Sequence, residues 1–204
     1  SIGNALGFTP EVPGAHGPQC SVKDLPRTFI PKSDGGILNG PNAVDYAVGD
    51  VAPGVFVVIT TDQPKIIKDL NYLRLSGNGK YWALYRPYHL CNLEAPISVV
   101  RVALDQEITL ATYRKPTAET VACAKTDLKP GTRIDGLGGF TVYGLIDSAA
   151  RSKSENMLPL GLAVGATLKR EVKMGQPVRY EDVDLDESQS IVRLRREQDA
   201  LFGG

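Results

Sequence analysis

Ten residues of this chain recur at an offset of 44. Lys125-Thr-Asp-Leu-Lys-Pro-Gly-Thr-Arg-Ile134 and Lys169-Arg-Glu-Val-Lys-Met-Gly-Gln-Pro-Val178 both read Lys-x-acid-apolar-Lys-x-Gly-x-x-apolar. Each copy predicts a strand, a tight turn at Gly131 or Gly175, and a second short strand. A solenoid needs about three repeats or more. Two copies point instead to a compact β unit with pseudo-twofold symmetry. Between them lie the glycine-rich runs Gly136-Leu-Gly-Gly-Phe-Thr-Val-Tyr-Gly144 and Leu158-Pro-Leu-Gly-Leu-Ala-Val-Gly165.

The 21 Gly and 14 Pro fit this reading, since they favour short strands and many turns over long helices. Lysine plus arginine (23) balances aspartate plus glutamate (23), so nothing global argues for nucleic acid or an anionic membrane. Apolar runs fall short of the ~20 residues that cross a bilayer. Cys20, Cys91 and Cys123 are odd in number, widely spaced and without a CxxC. They predict neither a disulfide framework nor a metal site, and fit a reducing, cytoplasmic setting. The first six letters are no signal peptide, for there is no basic start and no continuous apolar segment. Ile2 to Phe8 reads as the end of a helix closed by Gly7, and the chain is expected to begin within a longer protein.

Residues 1–114 read as an α+β region. Gly54-Val-Phe-Val-Val-Ile-Thr60 is apolar and β-branched, and predicts a strand buried on both faces. Thr61 or Asp62 is placed to cap a helix carrying Ile66, Ile67, Leu70 and Leu73. Gly77-Asn-Gly79 then turns the chain into a strand over Tyr81–Arg86, stopped by Pro87. A further helix is expected over Ala95–Leu104, with Ile97, Val100, Arg101 and Leu104 spaced at three and four. His16, in a Gly/Pro loop, is read as solvent-facing.

Two stretches of this region carry candidate chemistry. Tyr81-Trp-Ala-Leu-Tyr-Arg-Pro-Tyr-His-Leu90 contains the single Trp and sets a guanidinium, an imidazole and phenol hydroxyls on an aromatic base. Such a group suits a small polar or anionic substrate. Lys32-Ser-Asp-Gly-Gly36 allows a tight backbone approach at Gly35–Gly36, with Lys32 and Asp34 beside it. It is either a loop presenting Lys32 to a substrate or a solvent-facing turn. Arg86, Tyr85, Tyr88 and Asp34 are thus candidate substrate ligands, with His89 and Lys32 as candidate acid/base groups. The choice between His89 and Lys32 stays open.

Gly136, Gly138 and Gly139 do not make a dinucleotide loop. Position 141 is Thr where GxGxxG needs Gly, and neither a buried strand before it nor a helix after it is expected. From Ser188 the chain predicts a surface helix capped by Ser190, with Ile191, Leu194 and Leu201 on one stripe and an Arg193–Glu197 pair. Arg195 and Arg196 are read as a solvated face.

With its opening Val121-Ala-Cys-Ala-Lys-Thr-Asp-Leu-Lys-Pro-Gly131, the repeat resembles the SAF domain, a β-clip fold. Lys32-Ser-Asp-Gly-Gly-Ile, Ala83-Leu-Tyr-Arg-Pro-Tyr-His-Leu, Gly138-Gly-Phe-Thr-Val-Tyr-Gly and Leu158-Pro-Leu-Gly-Leu-Ala extend the likeness. Together and in order they resemble the C-terminal half of homoserine-dehydrogenase-like oxidoreductases bearing a SAF domain, the deoxyxylulose phosphate reductoisomerase-like enzymes among them. The expected architecture is α+β: a small sheet with packed helices over 1–114, then, as the resemblance implies, a β-clip SAF domain over 115–187, and a C-terminal helix over 188–204. The resemblance also implies an N-terminal Rossmann domain binding NAD(P), absent from this sequence, and a homodimer.

On that resemblance the expected function is that of a C-terminal fragment of an NAD(P)-dependent oxidoreductase, inactive alone. It would act on a small polar hydroxy or carbonyl substrate, phosphorylated or not. No cofactor is expected on the fragment itself. The alternative is a non-catalytic SAF-type module for sugar-acid binding or dimerisation.

Overall fold

Ile2 to Leu6 form a short helix, α1, which Gly7 closes in the left-handed region at φ 76°. That backbone conformation suits glycine, which has no Cβ to clash with the carbonyl. The structure is a computed structural model and describes residues 1–88, 90–112 and 114–202. Two compact units divide the chain: residues 16–111, and residues 1–15 together with those from 112 onward.

In the unit of residues 16–111, α2 (Leu25–Thr28) precedes a three-stranded antiparallel sheet of order β1-β3-β2. Its strands are β1 (Val55–Thr60), β2 (Ser76–Gly77) and β3 (Tyr81–Arg86), with α3 (Pro64–Tyr72) between β1 and β2. β3 is central and pairs along its whole length with β1, from Thr60↔Tyr81 to Val55↔Arg86. Because side chains alternate along a strand, Phe56, Val58, Ala83 and Tyr85 share one face. That face packs against Leu25, Phe29, Leu38 and Val51. The Phe29 and Phe56 rings meet at 4.8 Å between centroids. On the other face, α3 covers Trp82, whose indole N–H donates to Asn71 at 3.2 Å. Further along, Val55, Val57 and Leu84 are exposed.

β1 is therefore half-buried, with Phe56 and Val58 packed against the core on one face only, against the expectation of burial on both. An apolar run does not tell the two cases apart, and an antiparallel sheet tolerates one open side. α3 begins after Gln63, which stands at the N-cap in place of Thr61 or Asp62. The helix expected over Ala95–Leu104 is longer, α4 (Cys91–Asp105), and none of its residues is buried.

The other unit is built around β4 (Ala118–Ala124) paired with β5 (Val142–Ser148). It continues through α5 (Ala149–Ser154), α6 (Leu160–Ala163) and a two-residue pair, β6 (Thr167–Leu168) with β7 (Val183–Asp184). It ends in α7 (Ser190–Leu201). Its core includes Ala122, Ile134, Val142, Leu158, Leu168 and Val178, each at most 2 % exposed.

The two repeat copies exchange hydrogen bonds. Leu128 N donates to Val172 O at 2.8 Å and Val172 N to Leu128 O at 3.0 Å. Gly131 N donates to Leu168 O at 2.7 Å, and its counterpart Gly175 N to Ala124 O at 2.8 Å. Ile134 N to Ala166 O, at 2.9 Å, is matched by Val178 N to Ala122 O, at 2.8 Å. Both turn glycines are left-handed, at φ 83° and 80°. The pseudo-twofold read from the sequence is thus a reciprocal backbone lattice.

Two boundaries differ from the expected 1–114, 115–187 and 188–204. Residues 1–15 belong with the second unit because Asn4 stitches them to β4. Its Oδ1 accepts from Thr117 N and Ala118 N at 2.8 Å each, and its Nδ2 donates to Ala118 O at 3.0 Å. Nor is the tail separate, since Val192 of α7 is 2 % exposed within the same core. Ile191, Leu194 and Leu201, read as one stripe of a surface helix, are exposed, and the residue that docks is Val192. α7 follows Gln189 at its N-cap, so Ser190 is its first residue. Arg195, expected to be solvated, pairs with Glu119 of β4 and with Asp199, and Arg196 pairs with Glu187 at 2.9 Å.

Candidate functional site

The Lys-Ser-Asp-Gly-Gly stretch folds as a single 3-10 turn over Lys32–Asp34, closed by Gly35 at φ 90°. Gly36 follows where a Cβ would lie 2.1 Å from the Ile30 carbonyl oxygen, so glycine is required there by space. The turn is pinned by Lys32 N to Leu38 O at 2.7 Å and Gly36 N to Pro31 O at 3.1 Å. It delivers Asp34 to the start of β3.

The β2–β3 hairpin brings the partners. Asn78 Oδ1 accepts from Lys80 N at 3.0 Å and Tyr81 N at 2.8 Å, while its Nδ2 donates to Pro26 O at 3.0 Å. This turn fixes Lys80 and Tyr81 beside the Asp34 carboxylate. Lys80 Nζ donates to one oxygen at 2.7 Å, and the Tyr81 hydroxyl donates to the other at 2.7 Å. The ammonium also lies 5.5 Å from the Tyr81 ring centroid.

The hydrogen bond from Lys80, then that from Tyr81, holds the Asp34 carboxyl below its ordinary range. The same bonds to Asp34 raise Lys80 and Tyr81. At neutral pH the group is therefore an ammonium, a carboxylate and a neutral phenol. Lys80 has three donors and commits one to Asp34. The remaining two can hold an oxygen of a polar ligand, with Asp34 fixing the ammonium's position.

The other expected site residues fall elsewhere. Lys32 Nζ donates to Asn39 at 2.8 Å. Arg86 pairs with Glu94 at 2.6 Å, and its guanidinium lies 5.3 Å from the Tyr88 ring centroid. The Tyr85 hydroxyl is spent on the Val51 carbonyl at 3.0 Å, its ring in the core. His89 lies outside the described residues. Tyr81 and Arg86 stand at opposite ends of β3, roughly 17 Å apart at about 3.4 Å per residue. The candidates thus form two groups: Asp34 with Lys80 and Tyr81, and Arg86 with Tyr88 and Glu94.

His16, expected to be solvated, is instead held by Asp45. Its Nδ1 lies 2.6 Å from Asp45 Oδ2, and the two side chains are 20 % and 5 % exposed. Asp45 also accepts from the backbone N–H groups of His16 and Gly17, at 3.1 Å each, and of Tyr46, at 2.8 Å. Such anchoring fixes the orientation of the imidazole ring. The sequence separation of 29 hides this pair from local sequence reading.

The glycine loop after Ile134 does not have the form of a dinucleotide loop. Among the glycines after Ile134, the loop wraps a carboxylate: Asp135 accepts from Phe140 N at 2.6 Å and Thr141 N at 3.2 Å. Those bonds, Phe140 first, hold its carboxyl down to about 2. The donors that would cradle a phosphate are taken by a permanent negative charge. Among the described residues no set of three or more His, Cys, Asp or Glu is gathered for a metal. No helix there is long and apolar enough to cross a membrane.

Comparison with known families supports an oxidoreductase with a SAF domain. Residues 1–95 match the family model described as oxidoreductase DRL, catalytic domain, and residues 119–184 match the SAF domain. The fold is accordingly a mixed α/β one with small sheets and a SAF domain. No curated protein matches the chain.

Proposed function

We propose that this chain is the substrate-handling and SAF portion of an NAD(P)-dependent oxidoreductase, homoserine-dehydrogenase-like in plan. Its substrate is a small polar hydroxy or carbonyl compound, with or without a phosphate group. The observation that carries this reading is the match of residues 1–95 to an oxidoreductase catalytic domain. It is supported by the Asp34–Lys80–Tyr81 group within that span. In this reading NAD(P) sits on a Rossmann domain, the cofactor-binding part of a homoserine-dehydrogenase-like plan.

In this reading Lys80, aimed by Asp34, donates to the reacting oxygen of the substrate. Arg86, roughly 17 Å away at the far end of β3 and paired with Glu94, is too distant to hold the same small substrate. Lys32 or His89 exchanges the alcohol proton, and His16 held by Asp45 is a third group able to do so.

The test is dehydrogenase turnover of the full-length protein, followed at 340 nm, over a panel of small hydroxy acids and sugar phosphates with NAD+ and NADP+. Lys80→Met is expected to lower kcat/KM by about 10²-fold or more, in the range of positioned proton and charge groups. Turnover within a factor of a few of wild type would remove Lys80 from the site. The same outcome for His89→Ala would remove His89 from the mechanism.

A further inference from the structure

A buried carboxylate that spends its acceptors on the chain around one histidine calls for a reason. Asp45 accepts from the backbone N–H groups of His16, Gly17 and Tyr46, and it faces His16 Nδ1 at 2.6 Å. These partners take up roughly the four lone-pair positions that a carboxylate has. Asp45, its side chain 5 % exposed, therefore has little left to offer a ligand. The imidazole it holds is the group that stays open, with the His16 side chain 20 % exposed.

The backbone on either side of the ring is unusual as well. Ala15 is left-handed at φ 61° although it is not glycine, and Gly17 is left-handed at φ 54°. A Cβ resists this conformation, which persists where surrounding bonds impose it and gathers at functional sites. A Cβ on Gly17 would lie 2.4 Å from the Tyr46 hydroxyl oxygen, so glycine there lets the Tyr46 ring close on the chain next to His16. A solvated turn needs none of these features. An imidazole backed by a buried carboxylate, with its far edge open, is the arrangement that orients a general base. Lys32, by contrast, is exposed and held by the Asn39 side chain, with no carboxylate paired to it among the described residues.

We propose that His16 is the acid/base residue of the reaction and that Asp45 is its positioning residue. The assignment rests on the oxidoreductase reading above, and the pair belongs to the same unit as the Asp34–Lys80–Tyr81 group. A carboxylate only accepts, so Nδ1 donates to Asp45 and Nε2 carries the lone pair. As the substrate alcohol is oxidised, its O–H bond breaks and the proton passes to Nε2. The hydride of the adjoining C–H bond leaves to NAD(P)+, and the carbonyl forms. In reduction the imidazolium returns its proton to the oxygen.

One readout is free of turnover. The chain has two histidines, so in isotopically labelled His89→Gln protein His16 is the sole imidazole. Nuclear magnetic resonance should show its Nδ1 proton far downfield, moving upfield in Asp45→Asn. A missing downfield proton, or one that stays in place in Asp45→Asn, would overturn the dyad. In turnover of the full-length protein, His16→Gln should lower kcat by about 10²-fold or more. Asp45→Asn should lower it by about tenfold or more, with KM changed by no more than a factor of a few. Fluorescence of Trp82, the single tryptophan, checks that each variant is folded. Turnover that Lys80→Met removes but His16→Gln leaves within a factor of a few of wild type would overturn this assignment alone. A wild-type protein that turns over nothing in the panel would overturn the oxidoreductase reading and this assignment with it.

Discussion

In the unit that begins with β4, Val121, Leu158 and Val178 have no solvent exposure, and the backbone on either side of them is bonded twice over by the repeat. In the unit of residues 16–111, the sheet has one open face, and α4 is exposed along its length. The same apolar residue types thus serve two ends. In the SAF unit they are consumed by folding, whereas in the other unit many are left for contact with something else. The Asp34–Lys80–Tyr81 group and the Arg86–Tyr88 pair both sit on the unit with surface to spare.

Three measurements can break or sharpen this contrast. The largest effect is expected from Leu158→Ala, which opens a cavity in the fully packed core and should cost about 2–5 kcal/mol. Val57→Ala, on the open face, should stay within about 0.5 kcal/mol. Urea unfolding followed by circular dichroism and by Trp82 fluorescence separates the two units, because the single tryptophan lies on β3. A Leu158→Ala shift equal in both signals would show that the units unfold as one and that the contrast has no thermodynamic counterpart.

Gly36→Ala comes next. Its new methyl group would meet the Ile30 carbonyl, and overpacking of this kind costs about 1–3 kcal/mol. If the turn presents Asp34 as described, Tyr81 and Lys80 lose their partner with it, so the loss should appear in the Trp82 signal. An unchanged midpoint would mean that the turn is slack.

The smallest effect concerns the Asp135 loop. Its folded carboxyl sits near 2, below the ordinary 3.8. The stabilisation it provides is therefore complete above 3.8 and is lost as pH falls towards 2. Amide exchange at Phe140 and Thr141 should speed up over that interval while the amides of Leu128 and Val172 stay protected. Loss of protection at all four together would tie the loop to global unfolding.

What the sequence made legible was local or repeated. β3 spans Tyr81–Arg86, as its aromatic run bounded by a glycine turn and Pro87 predicts. The repeat announced its own pairing because each copy encodes the same turn. What stayed hidden depends on partners far away in the chain. Asp34 was visible as a candidate, but Lys80 sits in a hairpin turn 46 residues on and reads there as an ordinary surface charge. His16 needed Asp45, and Arg195 needed Glu119, 76 residues earlier. The α7 stripe misled because a helix that docks through one valine and one arginine leaves little periodic trace.

The reciprocal lattice also bears on how the SAF unit reaches its folded state. Leu128 and Val172 bond to each other, so neither copy can complete its hydrogen bonds before the other arrives. Forming it means closing a loop of more than forty residues before most of the rewards of contact are collected. Folding of this unit is therefore expected to be limited by that long-range encounter, with substitutions at the paired turns Gly131 and Gly175 slowing it in matched fashion.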